Sequence, residues 1–155
     1  MEAAIKTEHK YSIHKVLAHS YSVYFLFFLV GVTLDLIFKF KIYVSSIMVP
    51  VGLALLILGS ILILWAQETS RNLTSQNLTK ETFSRGPYSY TRSPTHWGLF
   101  FLILGFGIIS NALFLVLSTL VAFLITRFVF LEKEELILAQ KYGTPYLEYQ
   151  KIVNL

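Results

Sequence analysis

Residues 93–130 read SPTHWGLFFLILGFGIISNALFLVLSTLVAFLITRFVF. Ser93-Pro94 is a helix start, with Ser93 as N-cap and Pro94 at the first helical position, where its missing N–H costs nothing. An apolar run from Trp97 to Ile109 follows, and Ser110-Asn111 interrupts it. A second apolar run, from Ala112 to Phe130, begins at once. At about 1.5 Å per residue the first run falls short of a hydrocarbon core of about 30 Å. Joined by so tight a polar break, the two runs predict a helical hairpin inside a membrane.

The flanks extend that reading. From Leu131 the chain turns charged, through Glu132, Lys133, Glu134 and Glu135, with Leu136, Leu138 and Ala139 interleaved. That pattern continues the helix out of the bilayer until Tyr142-Gly143 and Pro145 break it. A short helix from Tyr146 to Val153 closes the chain. Upstream, residues 66–92 are dominated by Gln, Glu, Asn, Thr, Ser, Lys and Arg. Loops of more than about 12–15 residues tend to be functional or disordered. Two earlier apolar spans precede it, over 16–38 and 47–65. The first is too long for a signal-peptide core and lacks a small-residue cleavage site. Asp35 and Lys39, four apart near its end, are expected to form an interfacial ion pair. In the second, Pro50 lies in the first turn, and Gly52 and Gly59 allow another helix to approach closely.

The fold class is therefore all-α: an integral membrane domain with about four transmembrane helices and short cytoplasmic C-terminal helices. Composition agrees, because 14% of residues are charged against about 25% in soluble domains. The absence of cysteine excludes disulfides, thiolate metal sites and a cysteine nucleophile, and no metal site is expected. The net charge of +4 does not make a nucleic-acid surface, since the basic residues lie between apolar spans. Lys6, Lys10 and Lys15, then Arg71, Lys80, Arg85 and Arg92, then Arg127, Lys133, Lys141 and Lys151 fall on one side, against Lys39 and Lys41 on the other. That asymmetry predicts cytoplasmic termini in a multi-pass protein. Asn72-Leu73-Thr74 and Asn77-Leu78-Thr79 match the glycosylation sequon, but the same topology places them in the cytoplasm as chance matches.

Two polar clusters fall at the open end of the hairpin. One runs from Arg85 to Gly98; the other holds Glu134-Glu135, Tyr142-Gly143, Tyr146 and Tyr149. A helix N-terminus at Ser93-Pro94 offers N–H groups to an anion, and Arg92 adds a planar fork suited to a carboxylate. Glu134 and Glu135 accept from hydroxyls or an ammonium. The tyrosines and Trp97 offer ring faces to a cation or a purine. Such a pocket suits a zwitterionic cofactor with a purine and a positive centre. The same residue types also serve as ordinary interfacial anchors.

Gly86-x-Tyr88-x-x-x-Arg92-x-Pro94 with Gly98 resembles the signature of the isoprenylcysteine carboxyl methyltransferase family. So does Glu134-Glu135-x-x-Leu138-x-x-x-Tyr142-Gly143-x-x-Tyr146-x-x-Tyr149, and the stretch Trp65-Ala66-x-x-Thr69 resembles it more weakly. The resemblance covers residues 60–153. It implies a membrane-embedded methyltransferase using S-adenosylmethionine. By position it places Tyr88, Arg92, Pro94, His96, Gly98, Glu134, Glu135, Tyr146 and Tyr149 around the cofactor, with Arg92 and Glu135 in the catalytic roles. The chain departs from the family pattern at Ser93, where the family has His, at His96, where it has Tyr, and at Ser70-Arg71-Asn72, where it has Leu-Gly-Arg.

A membrane site implies a lipophilic small molecule or lipidated substrate entering sideways from the lipid, between the first two spans. A carboxylate, such as that of a prenylcysteine or another lipid acid, is already ionised near neutral pH and needs no general base. An amine must first lose a proton; His96 is the one candidate base, and this scarcity favours an acid or another ready nucleophile. Two rival readings remain: an NADPH-dependent membrane reductase of the sterol reductase type, and a non-enzymatic membrane scaffold. The first normally carries Arg-Asp and Trp where this chain has Glu134-Glu135 and Tyr146. The second leaves both motifs unexplained.

Overall fold

The computed structural model describes residues 2–43, 46–71 and 84–153, with side chains from residue 18 onward except at 46, 71 and 141. Helix α1 spans Glu2–Phe38. A 3-10 turn at Ser46–Met48 leads into α2, Val49–Arg71. A second 3-10 turn at Gly86–Ser89 precedes α3, Pro94–Ile109. Helix α4 covers Leu113–Ile125 and passes through a π turn, Thr126–Phe130, into α5, Leu131–Tyr142. Helix α6, Thr144–Ile152, ends the described chain. No strand occurs among the described residues.

Three helical runs are long and apolar enough to cross a membrane: Ala18–Phe38, Val49–Ser70 and Leu113–Gln140. Helix α3 is a shorter apolar helix of 16 residues, which rises about 24 Å. The hairpin expected from the sequence is thus present, with one arm short of a full crossing. The first two helices are longer than their apolar spans. Helix α1 starts at Glu2 because its leading residues include strong helix formers and no Gly or Pro. Helix α2 continues past Trp65 through Gln67 and Glu68 for the same reason. The two sequons lie outside the described residues.

Helix α1 does not pack mainly on its successor in the chain. The main contacts pair α2 with α3, α1 with α4, and α3 with α4 across the hairpin. Helices α1 and α2, consecutive in sequence, share no contact of that size, so the order across the molecule is α1, α4, α3, α2.

Glycines set the α2–α3 contact. A Cβ on Gly59 would lie 2.6 Å from the Gly98 carbonyl oxygen, and one on Gly105 would lie 2.5 Å from that of Gly52. The two antiparallel pairs repeat every seven residues on both helices, which keeps them on one face. Two backbones meet there with nothing between them, as small residues permit in membrane helices. This is the close approach that Gly52 and Gly59 predict, and its partner is α3.

The end of the molecule away from the polar clusters is tied by two side chains. Asn111 accepts from the backbone N–H groups of Ile42, at 2.7 Å, and Tyr43, at 3.0 Å, and donates to the Tyr43 carbonyl at 2.8 Å. Asp35 accepts from the N–H groups of Phe114 and Leu115 at 3.0 and 2.8 Å. It thereby caps the first turn of α4 from a neighbouring helix, satisfying donors that no intrahelical carbonyl reaches. The expected Asp35–Lys39 ion pair is not formed. Two backbone donors at the positive end of α4 hold the carboxylate instead.

Candidate functional site at the open end of the hairpin

The hairpin returns α5 to the start of α3, which brings the two polar clusters together. Arg92 Nη1 and Glu135 Oε1 are 2.8 Å apart, with each side chain about four-fifths buried (18% exposed). Gln150 of α6 donates from Nε2 to the other carboxylate oxygen at 3.2 Å. The charges touch without the alignment of a hydrogen bond: Arg92 Nε and Glu135 Oε1 are buried and have no hydrogen-bond partner. A charged donor and a charged acceptor thus stand side by side, each with unused capacity. Such groups are costly to leave unmatched in a buried place.

His96 forms the adjoining contact. Its Nε2 lies 3.3 and 3.4 Å from the two oxygens of Glu134. On the other side the Ser20 hydroxyl of α1 is 3.4 Å from Nδ1. The Tyr24 ring stacks at 6.2 Å and that of Tyr21 lies tilted at 6.1 Å. Ser20 is fully buried and His96 is 7% exposed, so this histidine bridges α1, α3 and α5 inside the protein. Ser93 stands at the N-cap position with Pro94 first in the helix, but its side chain makes no capping bond. Its carbonyl instead accepts from the N–H groups of His96 and Trp97. The Trp97 ring packs on Phe101 and Phe123 within the hairpin and is not turned to the polar cluster.

The tyrosines form a lid of packed rings. Tyr146 and Tyr149 of α6 are buried, with Val153, against Tyr88, Leu138, Ala139 and Tyr142. The Tyr149 hydroxyl donates to the Tyr88 carbonyl at 2.6 Å, which ties α6 to the segment before α3. Burial, more than any charge, pushes the Tyr146 and Tyr149 phenols well above their ordinary range. The Tyr88 phenol is raised by burial as well, against the hydrogen bonds of Ser70 and Thr95. All three remain protonated donors near neutral pH. Glycine makes both bends around this lid possible. Gly86 has φ +58 and a Cβ there would meet Thr69 Oγ1 at 2.6 Å, while Gly143 has φ +64 between α5 and α6. Few other residues adopt such angles without strain.

The π turn aims the glutamates. The Thr126 hydroxyl lies 2.9 Å from the Ala122 carbonyl, 3.0 Å from that of Phe123 and 3.2 Å from the Tyr24 hydroxyl. One extra residue in a helical turn rephases the helix beyond it, and such turns recur at functional sites. Glu134 and Glu135 then point to His96 and Arg92. Most of the expected site residues are therefore together. Pro94 is buried at the root of α3. Gly98 is the exception, since it faces Gly59 and Ile63 of α2 and acts in helix packing.

Beside the cluster, an apolar groove of about 430 Å³ opens between α1 and α2 with α3 as its floor. Tyr21, Tyr24, Phe25 and Phe28 line one wall, Ile63 and Gln67 the other. Among the described residues no group of three His, Asp or Glu side chains could hold a metal ion.

A family model for phospholipid methyltransferases matches residues 47–145. The chain belongs to the phospholipid methyltransferase family. This is a family of membrane methyltransferases related to the isoprenylcysteine carboxyl methyltransferases, so the resemblance in the two motifs holds at family level. No curated protein and no solved structure matches the chain. The matched region runs from the start of α2 to the start of α6 and contains Arg92, His96, Glu134 and Glu135. It leaves out α1, the source of Ser20, Tyr21 and Tyr24. Those residues, with Gln150 and Thr126, carry no signal in the sequence that marks them for the site. Ser20 and Tyr24 share a helix face at i, i+4 spacing, but nothing local points to a histidine far along the chain.

An S-adenosylmethionine head group is an amino acid with a carboxylate and an ammonium. Arg92 Nε–H, which makes no hydrogen bond, and the Glu135 carboxylate, whose Oε1 touches Arg92 Nη1, offer one donor and one acceptor of the required charges. The residues present fit that group.

Proposed function

We propose that the protein transfers a methyl group from S-adenosylmethionine to a lipophilic acceptor held in the groove between α1 and α2. The observation that carries this reading is the buried Arg92–Glu135 ion pair, whose Nε and Oε1 make no hydrogen bond, within a methyltransferase family. In this reading Arg92 takes the cofactor carboxylate, Glu135 takes its ammonium, and Tyr88, Tyr146 and Tyr149 wall the pocket from water. Bound there, the cofactor supplies a methyl group on a sulfonium. The protein's work is then to hold the acceptor about 3–3.5 Å away, in line, in a dry site. The groove receives the apolar part of the acceptor from the side, and the aromatic rings of α1 set its depth.

The acceptor class turns on whether a base is needed. A carboxylate needs no base, whereas an ammonium must first release a proton. His96, held by Glu134, is the candidate base, and reaching the acceptor would require the Tyr21 and Tyr24 rings between it and the groove to part. The family's description favours a phospholipid amine over the lipid acid expected from the sequence. Neither the reductase nor the scaffold reading gains support from the family match. The reading puts this end of the molecule, and both termini, on the cytoplasmic side, which the lysine and arginine asymmetry supports.

Purified protein in detergent tests the reading. S-adenosylhomocysteine should raise the thermal midpoint and NADPH should not, because a ligand that binds only the folded state stabilises it. Methyl-labelled cofactor should then mark an ethanolamine phospholipid in mixed micelles. Label entering a fatty or prenylated acid instead would reassign the acceptor. A shift with NADPH alone would overturn the activity.

A further inference from the structure

A second chamber, of about 450 Å³, lies at the opposite end of the helices from Arg92 and Glu135. Its walls come from α1, the connection after it, and the hairpin tip. Phe28, Val32, Leu36, Phe40, Phe106 and Leu115 make it apolar, and Lys39 and Lys41 line its polar rim. The Phe28 and Phe106 rings, 6.0 Å apart, separate it from the groove assigned to the acceptor.

We propose that this chamber binds an anionic phospholipid, with one acyl chain against the apolar wall and the phosphate on Lys39 and Lys41. Three observations support it. The volume is in the range of small-molecule sites, about 300–1,000 Å³, and its lining suits hydrocarbon. The two lysines have no ion pair among the described residues. Asp35, the one acidic residue in the lining, has both oxygens occupied by the N–H groups of Phe114 and Leu115. The rim is left with two cations and one internally satisfied anion, which complements a phosphodiester. The walls are also fixed in advance. Asn111 makes three hydrogen bonds to residues 42 and 43. Lys39 and Asn111 both hold left-handed backbone, at φ 51 and 54; asparagine adopts it readily, whereas a lysine keeps it only where the surroundings enforce it. A preformed site loses little on ordering its ligand.

The test uses the full chain in detergent, with short-chain phosphatidylglycerol and phosphatidylcholine as probes. Binding is read by native mass spectrometry and by the thermal midpoint. The parent should prefer phosphatidylglycerol. A basic residue near an anionic lipid surface adds about fivefold to binding, so the K39Q/K41Q variant should lose roughly thirtyfold in affinity for that lipid. It should keep its affinity for phosphatidylcholine and its response to S-adenosylhomocysteine. Leu36→Trp, which fills the chamber without touching the charges, should weaken both lipids. Equal binding of the two lipids by the parent would mean only annular lipid and overturn the proposal. An unchanged K39Q/K41Q variant would overturn it too. So would inorganic phosphate reproducing the full shift, since the chain would then contribute nothing.

Discussion

Replacing Arg92 with alanine removes a guanidinium 2.8 Å from Glu135 and exposes two separable effects. In the free protein the carboxylate keeps only the Gln150 amide, and leaving a buried polar group short of partners costs about 1–3 kcal/mol. With ligand bound, a charge-assisted hydrogen bond of about 1.5–3 kcal/mol is lost as well. At about 1.4 kcal/mol per decade the second effect is roughly a tenfold to hundredfold loss of affinity. Glu135→Gln should give a loss of similar size from the ammonium side. Arg92→Lys should also be impaired, because a point charge does not reproduce the planar fork. Lys133→Ala alters an exposed side chain and is the control. The assay is calorimetric titration of detergent-solubilised protein with S-adenosylhomocysteine, beside urea or thermal unfolding of each variant. A double-mutant cycle separates the roles. If the pair only braces the fold, R92A/E135Q should recover stability and bind like the parent. If the pair holds ligand, the double variant should bind worst. Parent-like affinity in both single variants would refute the assignment of these residues to the cofactor.

Three further outcomes rest on the packing. Gly105→Ala places a Cβ 2.5 Å from the Gly52 carbonyl oxygen and should destabilise the α2–α3 contact by about 1–3 kcal/mol; an unchanged unfolding midpoint would refute the backbone contact. Phe106→Ala opens the divider between groove and chamber, so kcat/KM for a longer-chain acceptor should rise relative to a shorter one, and an unchanged ratio would remove Phe106 from specificity. The raised Tyr149 phenol contributes stability that is fully present below its ordinary value of 10.0 and is lost as pH rises through its folded value. Tyr149→Phe should therefore lower stability near neutral pH, by loss of the bond to Tyr88, and flatten the alkaline end of the stability–pH profile.

Local signals carried most of the fold. The break at Ser110-Asn111, the stop at Gly143 and the apolar runs are written in adjacent residues, and each is found where the sequence puts it. Gly52 and Gly59 announce a close contact, yet a helix cannot name its partner, and only the structure supplies Gly98 and Gly105. Asp35 shows how a local rule misleads. The i, i+4 spacing points to Lys39, but two unsatisfied N–H groups of α4 compete better for the carboxylate. The Ser93 cap fails for a related reason, since residue type permits a capping bond without enforcing the rotamer that makes it. At the candidate site, the meeting of Arg92 and Glu135 was legible because a hairpin must bring its ends together. Ser20 and Tyr24 were not, because they reach His96 from a helix whose own pattern is uniformly apolar.

The α1–α4 pairing has a consequence for biogenesis. Chains emerge N-terminus first at about 5–20 residues per second, so Phe114 and Leu115 follow Asp35 into the membrane by roughly 4–16 s. During that interval α1 lacks its main packing partner, for α2 does not supply one. The nearest basic residue to Asp35 along the helix is Lys39, one turn on, but in the assembled protein two backbone donors of α4 hold the carboxylate. The first two spans therefore make no folding unit of their own. A chain cut after α2 presents the insertion machinery with two separate helices and an uncapped carboxylate, and the last third of translation decides whether the first third is kept.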